Sequence, residues 1–220
     1  MEINAEKRVH LLENINGSLP ENFVYLTDIV PDVILEMRYY SSYNFVGVPI
    51  DQYHAPVAII NKPAAQAMAE VSKKLIKRGY IIKVWDAYRP QGAVNHFVRW
   101  AADMNDVLSK KVFYPDVCKN RLLVDGFIAK NSGHSRGSAI DLTLVDMLTG
   151  KELDMGSAFD FFGDISGHGT DMITEEQAQN RLILKNAMED GGFLPYSKEW
   201  WHYTLADEPY PDTYFDFPVK

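Results

Sequence analysis

Apolar positions recur along this chain in two rhythms. From Asn61, NKPAAQAMAEVSKKLIKRGY places Ala65, Met68, Val71 and Leu75 at helical spacing, the recurrence of a helix with one face on a core. Pro63 suits its first turn and Gly79 its end. IIKVWDAYRP (Ile81 to Pro90) reads as a strand that stops in a turn at Arg89-Pro90, and GAVNHFVRWAADM reads as a second helix. TEEQ at Thr174 to Gln177 is a capping-box signature opening TEEQAQNRLILKNAMED, with Gly191 and Gly192 past its end. The other rhythm is strict alternation, in which Ile140, Leu142 and Leu144 interleave with Ala139, Asp141 and Thr143. That period of two marks a strand with one face on a core. Helices and strands come in blocks without a βαβ rhythm. The pattern therefore predicts an α+β fold, a single domain with an antiparallel sheet and helices packed around it. Residues 1–30 are polar and loosely patterned, so a surface extension is expected there, with the domain spanning 31–220.

Bulk properties narrow the function classes. The chain has 220 residues, 46% hydrophobic and 24% charged, with a net charge of −8. An acidic balance of this size offers no electrostatic footprint for nucleic acid or an anionic membrane, so neither is an expected partner. The single cysteine, Cys118, excludes an intrachain disulfide and a multi-cysteine zinc site; a packed or idle thiol is expected. No run of eighteen apolar residues suggests a membrane span. The first residues lack the apolar segment of a signal peptide, which makes the cytoplasm the expected location, with the periplasm as the alternative if a signal has been removed. Oligomeric state is not legible.

The chemistry concentrates in two short segments. In NSGHSRGSAIDLTL (Asn131 to Leu144), Asp141 falls on the polar side of the strand, where it is expected to point away from the core. Gly133 and Gly137 bracket His134 and let the chain fold tightly, so that His134 can lie beside Asp141. A neutral imidazole and a carboxylate that converge suit a metal ion. His202, in EWWHYT (Glu199 to Thr204), is the best third ligand, and three protein ligands leave one zinc position for water. Glu199 is placed to act as a general base. In an ideal strand Glu199 and His202 would face opposite ways, so a bulge or turn has to bring both inward. Trp200 and Trp201 are expected to shield the site. Each residue also has an ordinary reading: a packed histidine, a turn-capping Asp141, a solvated Glu199, a core tryptophan pair. The combination is more specific than its members. His10, His54 and His96 lack a carboxylate at a suggestive strand position; His168, in GDISGHGTD, is the strongest rival and is read as a loop residue.

SGHSRGSAIDLTL together with EWWHYT resembles the zinc D-alanyl-D-alanine dipeptidases of the VanX type, in the superfamily of zinc D,D-carboxypeptidases and Hedgehog signalling domains. RYYSSYNFVGVPI (Arg38 to Ile50), WDAYRP (Trp85 to Pro90), MGSAFDFFG (Met155 to Gly163), EQAQNR (Glu176 to Arg181) and DEPYPDTYFDFPVK extend the resemblance over all but the first thirty or so residues. It implies a Hedgehog/DD-peptidase-like fold and one zinc ion per chain held by His134, Asp141 and His202. It further implies Glu199 as general base and then acid, Arg89 steadying the oxyanion, and Asp160 receiving the ammonium group of a small dipeptide substrate. Tyr39 and Ser132 match substrate-contacting positions. Where the family commonly shows two serines before the ligand histidine, this chain has Ser132-Gly133. The implied activity is hydrolysis of D-alanyl-D-alanine. Alternatives are a D,D- or L,D-carboxypeptidase acting on peptidoglycan stems and a non-catalytic zinc-binding module.

Overall fold

The computed structural model describes residues 19–220. In chain order its elements are β1 (Phe23–Tyr25), α1 (Leu26–Ile29), β2 (Ile34–Leu35), β3 (Ile59–Asn61), α2 (Lys62–Ile76), β4 (Tyr80–Asp86), α3 (Gln91–Ala102), α4 (Lys110–Phe113), β5 (Ala139–Asp146), α5 (Glu175–Glu189), β6 (Phe193–Pro195) and β7 (His202–Leu205). Their caps explain where the helices begin. Asn61 accepts a hydrogen bond from the Ala64 amide at the start of α2, with proline in the first turn. Thr174 and Gln177 close a reciprocal capping box on α5. α3 starts at Gln91, directly after Pro90.

Five strands form the main sheet in the order β2-β4-β5-β7-β6. The expected antiparallel pairing holds from β4 to β6, but β2 runs parallel to β4 at one edge, so the sheet is mixed. Ile82 and Val84 of β4 stand opposite Leu144 and Leu142 of β5 and continue one apolar face. β4 ends at Asp86, and a register irregularity between Val84 and Asp86 frees Ala87–Pro90 to form the turn that carries Arg89.

Two expectations need correction. β5 is not half-solvated: Asp141 and Thr143 are as buried as Ile140 and Leu142, because β5 is the central strand and residues distant in sequence cover its polar face. The domain also starts before residue 31. Residues 1–18 lie outside the described ones, yet β1 pairs with β3, and Phe23, Leu26 and Val30 are buried in the core. The C-terminal segment packs against the same region, with Tyr88 stacked on Phe217 at 4.1 Å and the Phe215 amide bonded to the Ser135 carbonyl. No described helix is long and apolar enough to cross a membrane.

Candidate active site

His134 is delivered by a 3-10 turn, Gly133–Arg136, immediately before β5. Ser132 caps that turn, its hydroxyl accepting from the His134 amide at 3.2 Å. The turn closes on Gly137 at φ +79°, and a side chain there would stand 2.3 Å from the Phe23 ring. We expect Gly137→Ala to destabilise the fold by about 1–3 kcal/mol and to weaken metal binding; urea unfolding and zinc titration measure the two effects.

Asp141 of β5 lies directly across from His202, the first residue of β7. His134 Nε2 is 3.2 Å from Asp141 Oδ2, His202 Nδ1 is 3.0 Å from Asp141 Oδ1, and the two imidazole nitrogens are 3.0 Å apart. Their outer atoms are committed elsewhere. His134 Nδ1 donates to the Ala87 carbonyl at 2.6 Å, and His202 Nε2 meets Thr204 Oγ1 at 3.3 Å. With His134 Nδ1 committed as a donor, its Nε2 presents a lone pair toward Asp141 and His202 Nδ1, a cluster of donors that suits a cation. Tetrahedral zinc with bonds of about 2.0–2.2 Å needs donors roughly 3.3–3.6 Å apart, close to these separations. Burial alone would raise the Asp141 carboxyl, but the two imidazoles outweigh it and hold the group below the usual carboxylate range.

Glu199 sits in the turn that joins β6 to β7. The Glu199 amide bonds Tyr196 O and the His202 amide bonds Glu199 O, so residues 199–201 turn before β7 begins. That turn resolves the parity problem and brings Glu199 Oε2 to 4.0 Å from His202 Nδ1. Burial pushes its carboxyl up to about 7. Trp200 and Trp201 are core residues, packed on Trp85 and Phe159, and the Trp201 side chain also hydrogen-bonds the Glu199 carboxylate. His168 does not line the cavity of the site. Burial lowers its imidazole to about 4, and its ring packs against Tyr203.

All eight residues singled out from the sequence (Tyr39, Arg89, Ser132, His134, Asp141, Asp160, Glu199 and His202) line one cavity of about 410 Å³. That volume falls within the roughly 300–1,000 Å³ of small-molecule sites. Arg89 lies over the rings of Tyr39 and Phe97 at 4.9 and 5.2 Å. Asp160 is 6% exposed, adopts the left-handed region at φ +62°, and accepts from the Tyr39 hydroxyl at 3.0 and 3.1 Å. Burial first, then the charge of Asp141, pushes its carboxyl well above the usual range.

The Peptidase_M15 model, described as D-Ala-D-Ala dipeptidase, matches residues 20–220. The chain belongs to this M15 family. A D-alanyl-D-alanine dipeptidase of Enterococcus faecium is 43% identical over 198 residues, 90% of this chain and 98% of that protein. One from Streptomyces coelicolor is 37% identical over 198 residues, again 90% of this chain and 98% of that protein. Among solved structures, the LdcB LD-carboxypeptidase aligns at 17% identity with a TM-score of 0.43, covering 88% of this chain and 72% of that one. M15 peptidases are zinc-dependent, and His134, Asp141 and His202 are the one grouping of three such donors among the described residues.

The M15 site also contains residues that the sequence did not single out. Asp86 is fully buried; its Oδ2 accepts from Arg89 Nε at 2.9 Å and lies 2.8 Å from Nη2, while its Oδ1 accepts from Tyr53 at 2.6 Å. Two guanidinium nitrogens on one buried, charged oxygen, itself held through Tyr53, fix the direction of Arg89. The available signal was an aspartate at the end of an apolar strand, three residues before Arg89. Thr204, two residues after His202 on the same face of β7, was likewise not singled out.

Proposed function

We propose that this chain hydrolyses D-alanyl-D-alanine to two D-alanines, with one zinc ion held by His134, Asp141 and His202. The observation that carries this reading is Asp160. A buried carboxylate facing a small cavity, with the Tyr39 hydroxyl on both oxygens, is a costly arrangement that a ligand ammonium group would satisfy. A free dipeptide has that group beside its scissile bond; a long peptidoglycan stem has none there.

Zinc, when bound, supplies a Lewis acid that lowers the pKa of water to about 7 and polarises the peptide carbonyl. Glu199, with its proton affinity raised by burial, takes a proton from the attacking water and passes it to the departing amine. Arg89, held by Asp86, directs its guanidinium at the cavity and stabilises the oxyanion, a donor whose removal costs on the order of 10²–10³ in rate. Ser132 contributes through the turn that presents His134, and its place on the cavity wall suits contact with the substrate. The proposed compartment is the cytoplasm, with the periplasm as the alternative. Such a hydrolysis would either deplete a cell-wall building block or recover D-alanine.

The test is alanine release from D-alanyl-D-alanine, from its amino-acetylated form and from L-alanyl-L-alanine, with and without a zinc chelator. Chelator-sensitive release from the free D,D-dipeptide alone is expected. Equal cleavage of the acetylated substrate would favour a carboxypeptidase, and no release by the zinc-loaded protein would favour a binding module.

A further inference from the structure

The segment that carries Asp160 has little regular structure of its own. Between β5 and α5, residues 155–167 contain a single 3-10 turn, Asp164–Ser166. Yet Asp160 at their centre holds a left-handed φ of +62°, a conformation that persists only where surrounding structure imposes it. Phe159 and Phe162 beside it are buried and the Phe162 amide bonds the Phe113 carbonyl, while the ends of the segment are held from α5. Arg181 is 5% exposed and occupies the buried stripe of that helix with Leu184 and Met188. Its Nε donates to the Met155 carbonyl at 2.6 Å, Nη1 to Gly167 O at 2.9 Å, and Nη2 to Ile165 O at 2.8 Å and Ser157 Oγ at 3.5 Å. One guanidinium therefore bonds both ends of the segment and closes it into a loop with Asp160 at its far side. Ser157 Oγ also accepts from Trp200 Nε1 at 2.9 Å, which ties the same loop to the residue following Glu199. These hydrogen bonds go to carbonyls and a hydroxyl rather than to a carboxylate, and their divergent directions need the planar fork of arginine; a lysine ammonium cannot reach them together.

We infer that Arg181 is the positioning residue for substrate recognition: by closing the 155–167 loop it sets the carboxylate of Asp160 where a dipeptide ammonium arrives. The inference rests on the reading of Asp160 given above, and it makes Arg181 a determinant of affinity rather than of bond cleavage.

The experiment compares R181K, D160A and the double variant, each with zinc content and steady-state kinetics on D-alanyl-D-alanine. R181K is expected to raise KM by about tenfold to 10²-fold, the scale of a misplacement near 1 Å, with kcat changed no more than a few-fold and zinc unchanged. Adding R181K to D160A is expected to raise KM no further, because both act through one carboxylate. An unchanged KM in R181K, or a fall in kcat at constant KM as a merely structural role would give, overturns the inference. The underlying reading fails separately, if D160A itself leaves KM unchanged. Should R181K not accumulate as folded protein, S157A removes the hydroxyl shared by Arg181 and Trp200; a KM raised a few-fold with kcat kept is expected, and an unchanged KM overturns the clamp.

Discussion

Glu199→Gln is expected to lower kcat by about 10²–10⁴-fold, the range that a positioned proton-transfer group contributes, while KM and zinc content stay close to those of the parent. Glutamine keeps the shape and the hydrogen-bonding oxygen but cannot carry a proton from water to the leaving amine. Glu199 is 4.0 Å from His202 Nδ1 and outside the three-donor grouping, so its replacement leaves the three proposed donors in place. The substitution has a second, opposite effect. Burial is the largest influence on this carboxyl and raises it to about 7, so holding it ionised costs folding energy that a neutral amide does not. The inactive variant should therefore unfold at the same temperature as the parent or a higher one, as is common where an active-site group is kept at the expense of stability. Kinetics with metal analysis and a thermal scan test both halves. Retention of parental kcat would remove Glu199 from the mechanism.

His202→Ala should abolish measurable dipeptidase activity and reduce bound zinc below one per chain. Losing only a supporting partner of a metal ligand typically costs 10–100-fold in affinity; losing the ligand itself leaves two donors and should cost more. The fold should survive, because His202 begins β7 and is half-buried, whereas its neighbours Trp201 and Tyr203 fill the core. Far-ultraviolet circular dichroism like the parent's, with substoichiometric zinc and background turnover, is the expected set. Full zinc occupancy in this variant would show that the metal sits on other residues.

What the sequence made legible follows from the range of the interactions involved. α2 and α5 could be read because Asn61, Pro63 and the Thr174–Gln177 box are local signals, satisfied within one turn. β5 could be read from its alternation, but the fate of its polar face could not. Asp141 and Thr143 are buried by residues far away along the chain, and alternation describes only the strand's own two sides. Short β2 and β6 carry too few residues for any rhythm, and the parallel β2–β4 pairing is set by chain routing. His134 and Asp141 could be paired because glycines and a strand position constrained them, whereas His202 rested on the EWWHYT segment and the family resemblance. Their grouping with Glu199 depended on a turn at residues 199–201 that spacing could require but not place. Asp86 and Arg181 were missed for a shared reason: each is a charge inside an otherwise apolar pattern, and its purpose appears only when a distant partner does. An arginine in register with Leu184 and Met188 on a buried helix stripe was nonetheless a signal present in the sequence.

The turn between β6 and β7 has a mechanical consequence. It carries Glu199, and its hydrogen bonds between Tyr196, Glu199 and His202 lock it to the strand that begins with His202. The proposed proton carrier and the proposed ligand therefore ride on one hairpin, paired to β5 along one side and tied through Trp200 to Ser157 and Ser166 of the 155–167 loop. A shift of the hairpin would move the two groups in concert, and the Trp200 bonds to Ser157 and Ser166 would carry the loop that holds Asp160 along with them. The spacing between Glu199 and His202 is thereby set within one turn and one strand, independently of the longer loops around the cavity.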